Sequence, residues 1–194
     1  MNMNKMALAT MLMCGSISLA NAATGGQVNF EGSITDTPCS IHPDSVKQTV
    51  KLGAVSKPGL ASGINGPEQK FKIQLLNCSF AMSAPVPPAL VGSPVGNNVS
   101  VTFTGPQGGY PGTPGVTNTL LGITGSAKGA SIQLIDYSSK PVILGQKTTL
   151  QELAQSSNTD LEFTAYLKPN PGVAASDIVE GNFTSTVNFI MNYE

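Results

Sequence analysis

The sequence predicts an all-β fold, a β-sandwich of short strands. Three observations carry that expectation. Apolar residues alternate with polar ones in several separate segments, which is the signature of half-buried strands. Glycine and proline are abundant, 21 and 14 of 194 residues, and they fall between those segments as turn punctuation. Helical periodicity is nearly absent, so a core built from sheets is the economical solution.

The first residues stand apart. Lys5 precedes a mostly apolar run from Met6 to Leu19, and Ala20-Asn21-Ala22 follows as a small-x-small site. This is the layout of a secretory signal peptide, with cleavage expected before Ala23. The run, which contains Cys14, is short for a membrane span. Removing residues 1–22 leaves 172 residues, enough for one domain.

The next segment alternates: Thr24, Gly26, Val28, Phe30 and Gly32 share one face, with Gln27, Asn29 and Glu31 on the other. Thr49-Val50-Lys51-Leu52 is a short strand candidate ending at Gly53. Phe71, Ile73 and Leu75 alternate with Lys72 and Gln74, and Val99, Val101 and Phe103 with Ser100, Thr102 and Thr104. Ile132 with Leu134, then Leu161, Phe163, Ala165 and Leu167, continue the series. One helical turn is expected at Thr149 to Gln155, where Thr149 and Glu152 fit a capping box. The last strand runs through Phe183, Val187, Phe189, Met191 and Tyr193, reaching within one residue of the final position. Between strands lie two Pro/Gly-rich stretches, Ala84–Pro94 and Gly105–Gly115, read as long surface loops of one domain. Ends are ordinarily frayed, so strand-like segments at both ends require partners. That they pair with each other in one sheet is the bland alternative.

Composition excludes several functions. Without residues 1–22 the chain has 9 lysines, no arginine and 11 acidic side chains, a net charge of about −2. That is not the footprint of a nucleic-acid binder. Cys39 and Cys78 remain, and in an exported chain they form most simply one disulfide, against a metal pair or two free thiols. His42 is the only histidine and no nucleophile motif accompanies it. Carboxylates such as Glu31 with Asp36, or Asp160 with Glu162, are scattered surface groups. No metal cluster or phosphate-cradling loop is evident, so neither a cofactor nor an enzymatic activity is expected.

Four motifs in order then bear a resemblance. Gly25-Gly26-Gln27-Val28-Asn29-Phe30-Glu31-Gly32 is followed by Thr37-Pro38-Cys39-Ser40-Ile41. Next comes Phe71-Lys72-Ile73-Gln74-Leu75-Leu76-Asn77-Cys78, and finally Gly181 fourteenth from the end with Tyr193 penultimate. Together they resemble the pilin subunits of chaperone–usher fimbriae, near the type 1 group. The resemblance implies an incomplete immunoglobulin-like sandwich that lacks its last strand and is completed in trans by donor-strand complementation. It implies a signal peptide (1–22), a donor extension (23–34) and a pilin domain (35–194). Thr24, Gly26, Val28, Phe30 and Gly32 match the donor positions, with Gly26 as the small residue for a shallow part of the groove. Gly181, Phe183, Val187, Phe189, Met191, Tyr193 and Glu194 match the acceptor strand and chaperone contacts, with Ser185 interrupting the apolar series. The implied partners are a periplasmic chaperone, an outer-membrane usher and neighbouring pilin subunits, and the implied destination is the cell-surface fimbrium. The rival reading is a self-contained secreted sandwich that binds a carbohydrate through its loops, with Tyr110 as a stacking residue.

Overall fold

The computed structural model describes residues 26–82, 94–109, 118–154 and 158–194. The signal segment, Thr24, Tyr110 and most of both Pro/Gly-rich loops lie outside the described residues. Two units divide the chain, Met1–Thr35 and Asp36–Glu194.

In the first unit, residues 26–35 form no strand despite their alternation. Val28 is 71% exposed, Phe30 90%, and Ile34 fully so. A lone extended segment has no ladder to satisfy its backbone, so alternation here marks a face without a partner.

The second unit is a two-layer sandwich, the immunoglobulin-like arrangement. One layer has Gln69–Leu76 and Ala130–Ile135 on either side of Thr159–Pro169, flanked by Ser40–Ile41 and Leu120–Leu121. The other has Asn98–Thr104 between Asn188–Tyr193 and the short Gln151–Glu152. All ladders are antiparallel, with Phe163 opposite Phe71 and Phe103 opposite Phe189. The inward faces are the alternating residues read from sequence: Ile73, Leu75, Val99, Val101, Phe103, Leu161, Phe163 and Leu167 are all buried. A run of rings ties the layers together. Phe71 stacks on Phe163 at 5.5 Å, Phe163 meets Phe103 edge-on at 5.0 Å, and Phe103 tilts against Phe189 at 6.4 Å.

Cys39 and Cys78, both buried, are joined by a disulfide that fixes Ser40–Ile41 beside Leu75–Leu76. Of the three states open to these cysteines, the bridge is the one the structure contains.

Two expectations need correction. Thr49–Leu52 is not a strand: residues 49–55 make no hydrogen bond among the described residues, because no ladder partner lies beside them. The helical turn at Thr149 is also absent. Thr149 Oγ1 donates to Asp136 instead, and Gln151–Glu152 pairs with Asn98–Val99. Two short helices do occur, Pro43–Val46 and Lys57–Ala61, each with proline in its first positions and a side-chain cap from His42 or Ser56. His42 is therefore a helix cap, its Nδ1 accepting from the Asp44 N–H.

Candidate assembly groove

The terminal alternation holds, but the strand is split between partners. Phe183–Thr184 pairs with Thr124–Gly125, and Asn188–Tyr193 pairs with Asn98–Thr104. Among the described residues each piece pairs on one side only, so each keeps an open backbone edge. Across from those edges lies the unpaired segment 49–55. An edge of this kind is a template for another strand.

Between the two lips is an apolar trough of two chambers. One, of about 820 Å³, is lined by Leu52, Val55, Leu60, Ile123, Ile178 and Phe183, among others. The second, of about 730 Å³, has Val50, Phe71, Ile73, Phe103, Val187 and Phe189 in its walls. Thr49, Val50, Leu52, Ile132 and Ser185 border both chambers and so mark the boundary between them, here called the waist. Phe183, Ser185, Val187 and Phe189 are half-buried while Thr184, Thr186 and Asn188 are exposed. Side chains that should seal a core are thus left partly wet.

Ser185 is the residue that breaks the apolar series. It faces inward, and its Oγ donates to the Gly122 carbonyl at 2.6 Å. Its hydroxyl is satisfied without a donor from elsewhere, so a polar residue sits at the boundary between the chambers without an orphaned group.

Gly181 has a steric explanation. Its φ is +152°, and a Cβ there would stand 2.2 Å from Ser126 Oγ and 2.9 Å from the Ala127 nitrogen. Ser126 Oγ in turn accepts the Asn182 N–H at 3.1 Å. The backbones cross tightly here, and only glycine fits.

Met191 and Tyr193 pack half-buried against the core. Burial pushes the Tyr193 phenol above its ordinary value of 10.0. The Glu194 backbone exchanges hydrogen bonds with Asn98, and its side-chain carboxylate pairs with Lys147.

The predicted donor residues lie in the first unit. Gly26 and Gly32 have nothing within 4 Å of where a Cβ would be, so packing within this chain does not demand their smallness. Sequence reasoning overlooked Ile34, which continues the same alternation and is fully exposed. It also overlooked segment 49–55 as a groove lip. The signal was present in the inward spacing of Val50 and Leu52, but it was read as a strand. Among the described residues no group of three His, Cys, Asp or Glu could hold a metal ion. No helix among them is long and apolar enough to cross a membrane.

Known proteins are similar to this chain. A family described as fimbrial protein matches residues 28–194. The chain is similar to the Fimbria A protein of Serratia marcescens, 38% identical over 196 residues that span both chains in full. It is also similar to the Major MR/P fimbria protein of Proteus mirabilis, 36% identical over 198 residues, again with full coverage of both. Among solved structures, the P pilus rod subunit PapA matches with a TM-score of 0.63 and 25% identity, over 81% of this chain and 100% of that one. A chain from a chaperone–usher pilus shares the fold with a TM-score of 0.67 at 24% identity, over 88% and 96% of the two chains.

Proposed function

The chain belongs to the fimbrial protein family and is a structural subunit of a pilus, and from that premise we propose that subunits are joined by strand donation. The extension of one copy, residues 23–34, fills the trough of the next and pairs with its open edge. This is β-strand addition between chains. The observation that carries the reading is the match between an apolar trough without a strand and an exposed alternating segment without a core.

The two chambers suggest a register. Inward residues of a strand repeat about every 6.6–6.8 Å, and the donor face reads Thr24, Gly26, Val28, Phe30, Gly32, Ile34. A small residue belongs at the waist. With Gly32 beside Ser185 and the donor antiparallel to the terminal strand, Phe30 falls beside Val187 and Val28 beside Phe189. Ile34 then enters the chamber of Phe183, Gly26 lies over Met191 and Thr24 over Tyr193. The parallel alternative, with Gly26 at the waist, would put Thr24 into that apolar chamber and leave Ile34 at the rim. Burying each of Val28, Phe30 and Ile34 is worth roughly 1.5–3 kcal/mol, which favours the antiparallel arrangement.

Before polymerisation the same trough is the docking place of a periplasmic chaperone, with Gly181 to Glu194 as its contact strand. An outer-membrane usher then hands the subunit to its neighbour, and the fibre reaches the cell surface. No catalysis is involved; the work is done by binding.

The test is deletion of Ala23–Gly32. The shortened subunit should fold and accept a strand but fail to extend a polymer as donor. Normal fibre formation by that variant would refute the proposal. A Phe30→Ala variant should leave the unfolding of the isolated subunit unchanged, because that ring is exposed there, while depressing polymer formation.

A further inference from the structure

The donor segment carries one charged side chain. From Ala23 to Thr35 the only ionisable side chain is Glu31. It is exposed and makes no ion pair among the described residues.

The facing lip also carries one charge at the waist. Val50 and Leu52 both line the trough there. Lys51, between them, is exposed and likewise has no ion-pair partner. Among the other lysines, Lys57 is paired, 3.5 Å from Glu180, and Lys147 pairs with Glu194. Lys47 and Lys128, by contrast, are exposed, make no ion pair among the described residues and each border one chamber only. On the opposite lip, Thr184 and Thr186 flank Ser185 and are neutral.

We propose that Glu31 of one subunit pairs with Lys51 of the next copy, and that this cross-strand ion pair selects the register of the joint. The inference rests on the strand-donation reading and on Gly32 at the waist. If Gly32 lies beside Ser185 and faces inward, Glu31 faces outward at the same level. Adjacent strands lie about 4.7–4.9 Å apart, and directly opposed or diagonal side chains of this length reach one another.

A slip of two residues preserves the inward face but changes the fit. It would bring Phe30 or Ile34 to the waist and move Glu31 along the lip away from Lys51. Packing and charge therefore reject the same error. An exposed pair adds little to affinity, but it biases encounter and partner choice. The partner specified is a second copy of this chain.

The experiment is a charge swap in the full chain. E31K, K51E and the E31K/K51E double variant are compared with the parent for the rate at which purified subunits form multimers. Each single reversal should slow assembly about three- to tenfold. The double variant should return to within about twofold of the parent, with the parent's rate falling as salt is added. Thermal melting serves as a folding control and should be unchanged, since both residues are exposed. Equal rates for all four chains, or a double variant slower than either single, would overturn the ion pair. The Ala23–Gly32 deletion runs alongside. If it still polymerises, the strand-donation reading fails; if it does not and the swap shows no coupling, only the ion pair fails.

Discussion

Replacing Gly181 with alanine tests whether the terminal strand depends on the tight crossing in front of it. The added Cβ would lie 2.2 Å from Ser126 Oγ, far inside van der Waals contact. Rotating that hydroxyl away sacrifices its hydrogen bond from the Asn182 N–H, a loss of about 1 kcal/mol. Even then the Ala127 nitrogen stands 2.9 Å away, and it belongs to backbone held by its own bond to the Asn182 carbonyl. The φ of +152° adds about 1–3 kcal/mol for any residue with a side chain. The sum is a loss of about 2–4 kcal/mol, large beside a typical domain stability of about 5–15 kcal/mol. Denaturant unfolding of the disulfide-intact subunit reads this as a lower midpoint at unchanged slope. A Ser126→Gly change in the Gly181→Ala background removes the nearest overlap together with the hydroxyl that accepts the Asn182 N–H, so it should restore little and leave both the hydrogen-bond and the φ costs in place. A Gly181→Ala subunit within about 0.5 kcal/mol of the parent, the range of an ordinary surface change, would show that the crossing is not tight and that the reasoning is wrong.

Two further outcomes follow from the second unit. Cys39→Ser and Cys78→Ser should each lower stability by about 4 kcal/mol, from the loop entropy of a 39-residue separation. The double variant should be little worse, and additive losses in melting experiments would contradict the shared bridge. Asp136 is nearly buried; burial pushes its carboxyl up, but the Thr149 hydroxyl, the Lys140 N–H, the Ser138 hydroxyl and the Thr149 N–H together hold it below 3.8. Because the folded value is the lower one, its stabilisation is complete above pH 3.8 and fades as pH falls through the folded value. Asp136→Asn should therefore cost about 2 kcal/mol at neutral pH and flatten the acid limb of stability, as measured by denaturant midpoints across pH.

The sandwich was legible where two faces differ. Gln69–Leu76 and Thr159–Pro169 bury one face and leave the other wetter, so period two appears in the letters; Asn98–Thr104 alternates in polarity although Ser100 is buried as well. Ala130–Ile135 was caught only through Ile132 and Leu134, because Ser131 and Gln133 are buried as well and give no contrast. Gln133 is satisfied by carbonyls of Thr119 and Leu134, and Ser131 by Asn170, partners that sequence spacing does not announce. The capping box at Thr149 failed for a related reason. A carboxylate 13 positions upstream captures the hydroxyl that the local pattern assigned to a helix. The short helices were hidden by their length, although Ser56-Lys57-Pro58 held a cap and an early proline. At the groove, the inward residues of the terminal strand were readable from alternation. The waist at Ser185 was not, since its second wall comes from residues more than 100 positions away.

The failed strand at Thr49–Leu52 and the alternation at Val28–Phe30 have one physical origin. A strand pattern states which residues want burial; a strand exists only when a neighbour takes its backbone bonds. Residues 49–52 have the pattern and part of the burial, with Leu52 enclosed, but no neighbour for the backbone. Residues 28–34 have the pattern with neither burial nor neighbour. Asn188–Tyr193 has a neighbour on one side alone. One additional strand laid between the two lips would supply the backbone partner missing at both, and it would cover Val187 and Phe189 with the side chains it brings. A strand from the same molecule could satisfy this deficit only once and would end the chain of contacts there. A strand from the next molecule satisfies it while presenting another deficit of the same kind. Under the proposed strand donation, an incomplete sandwich with an exposed extension is a unit of polymerisation, with each joint presenting a new trough to the following one.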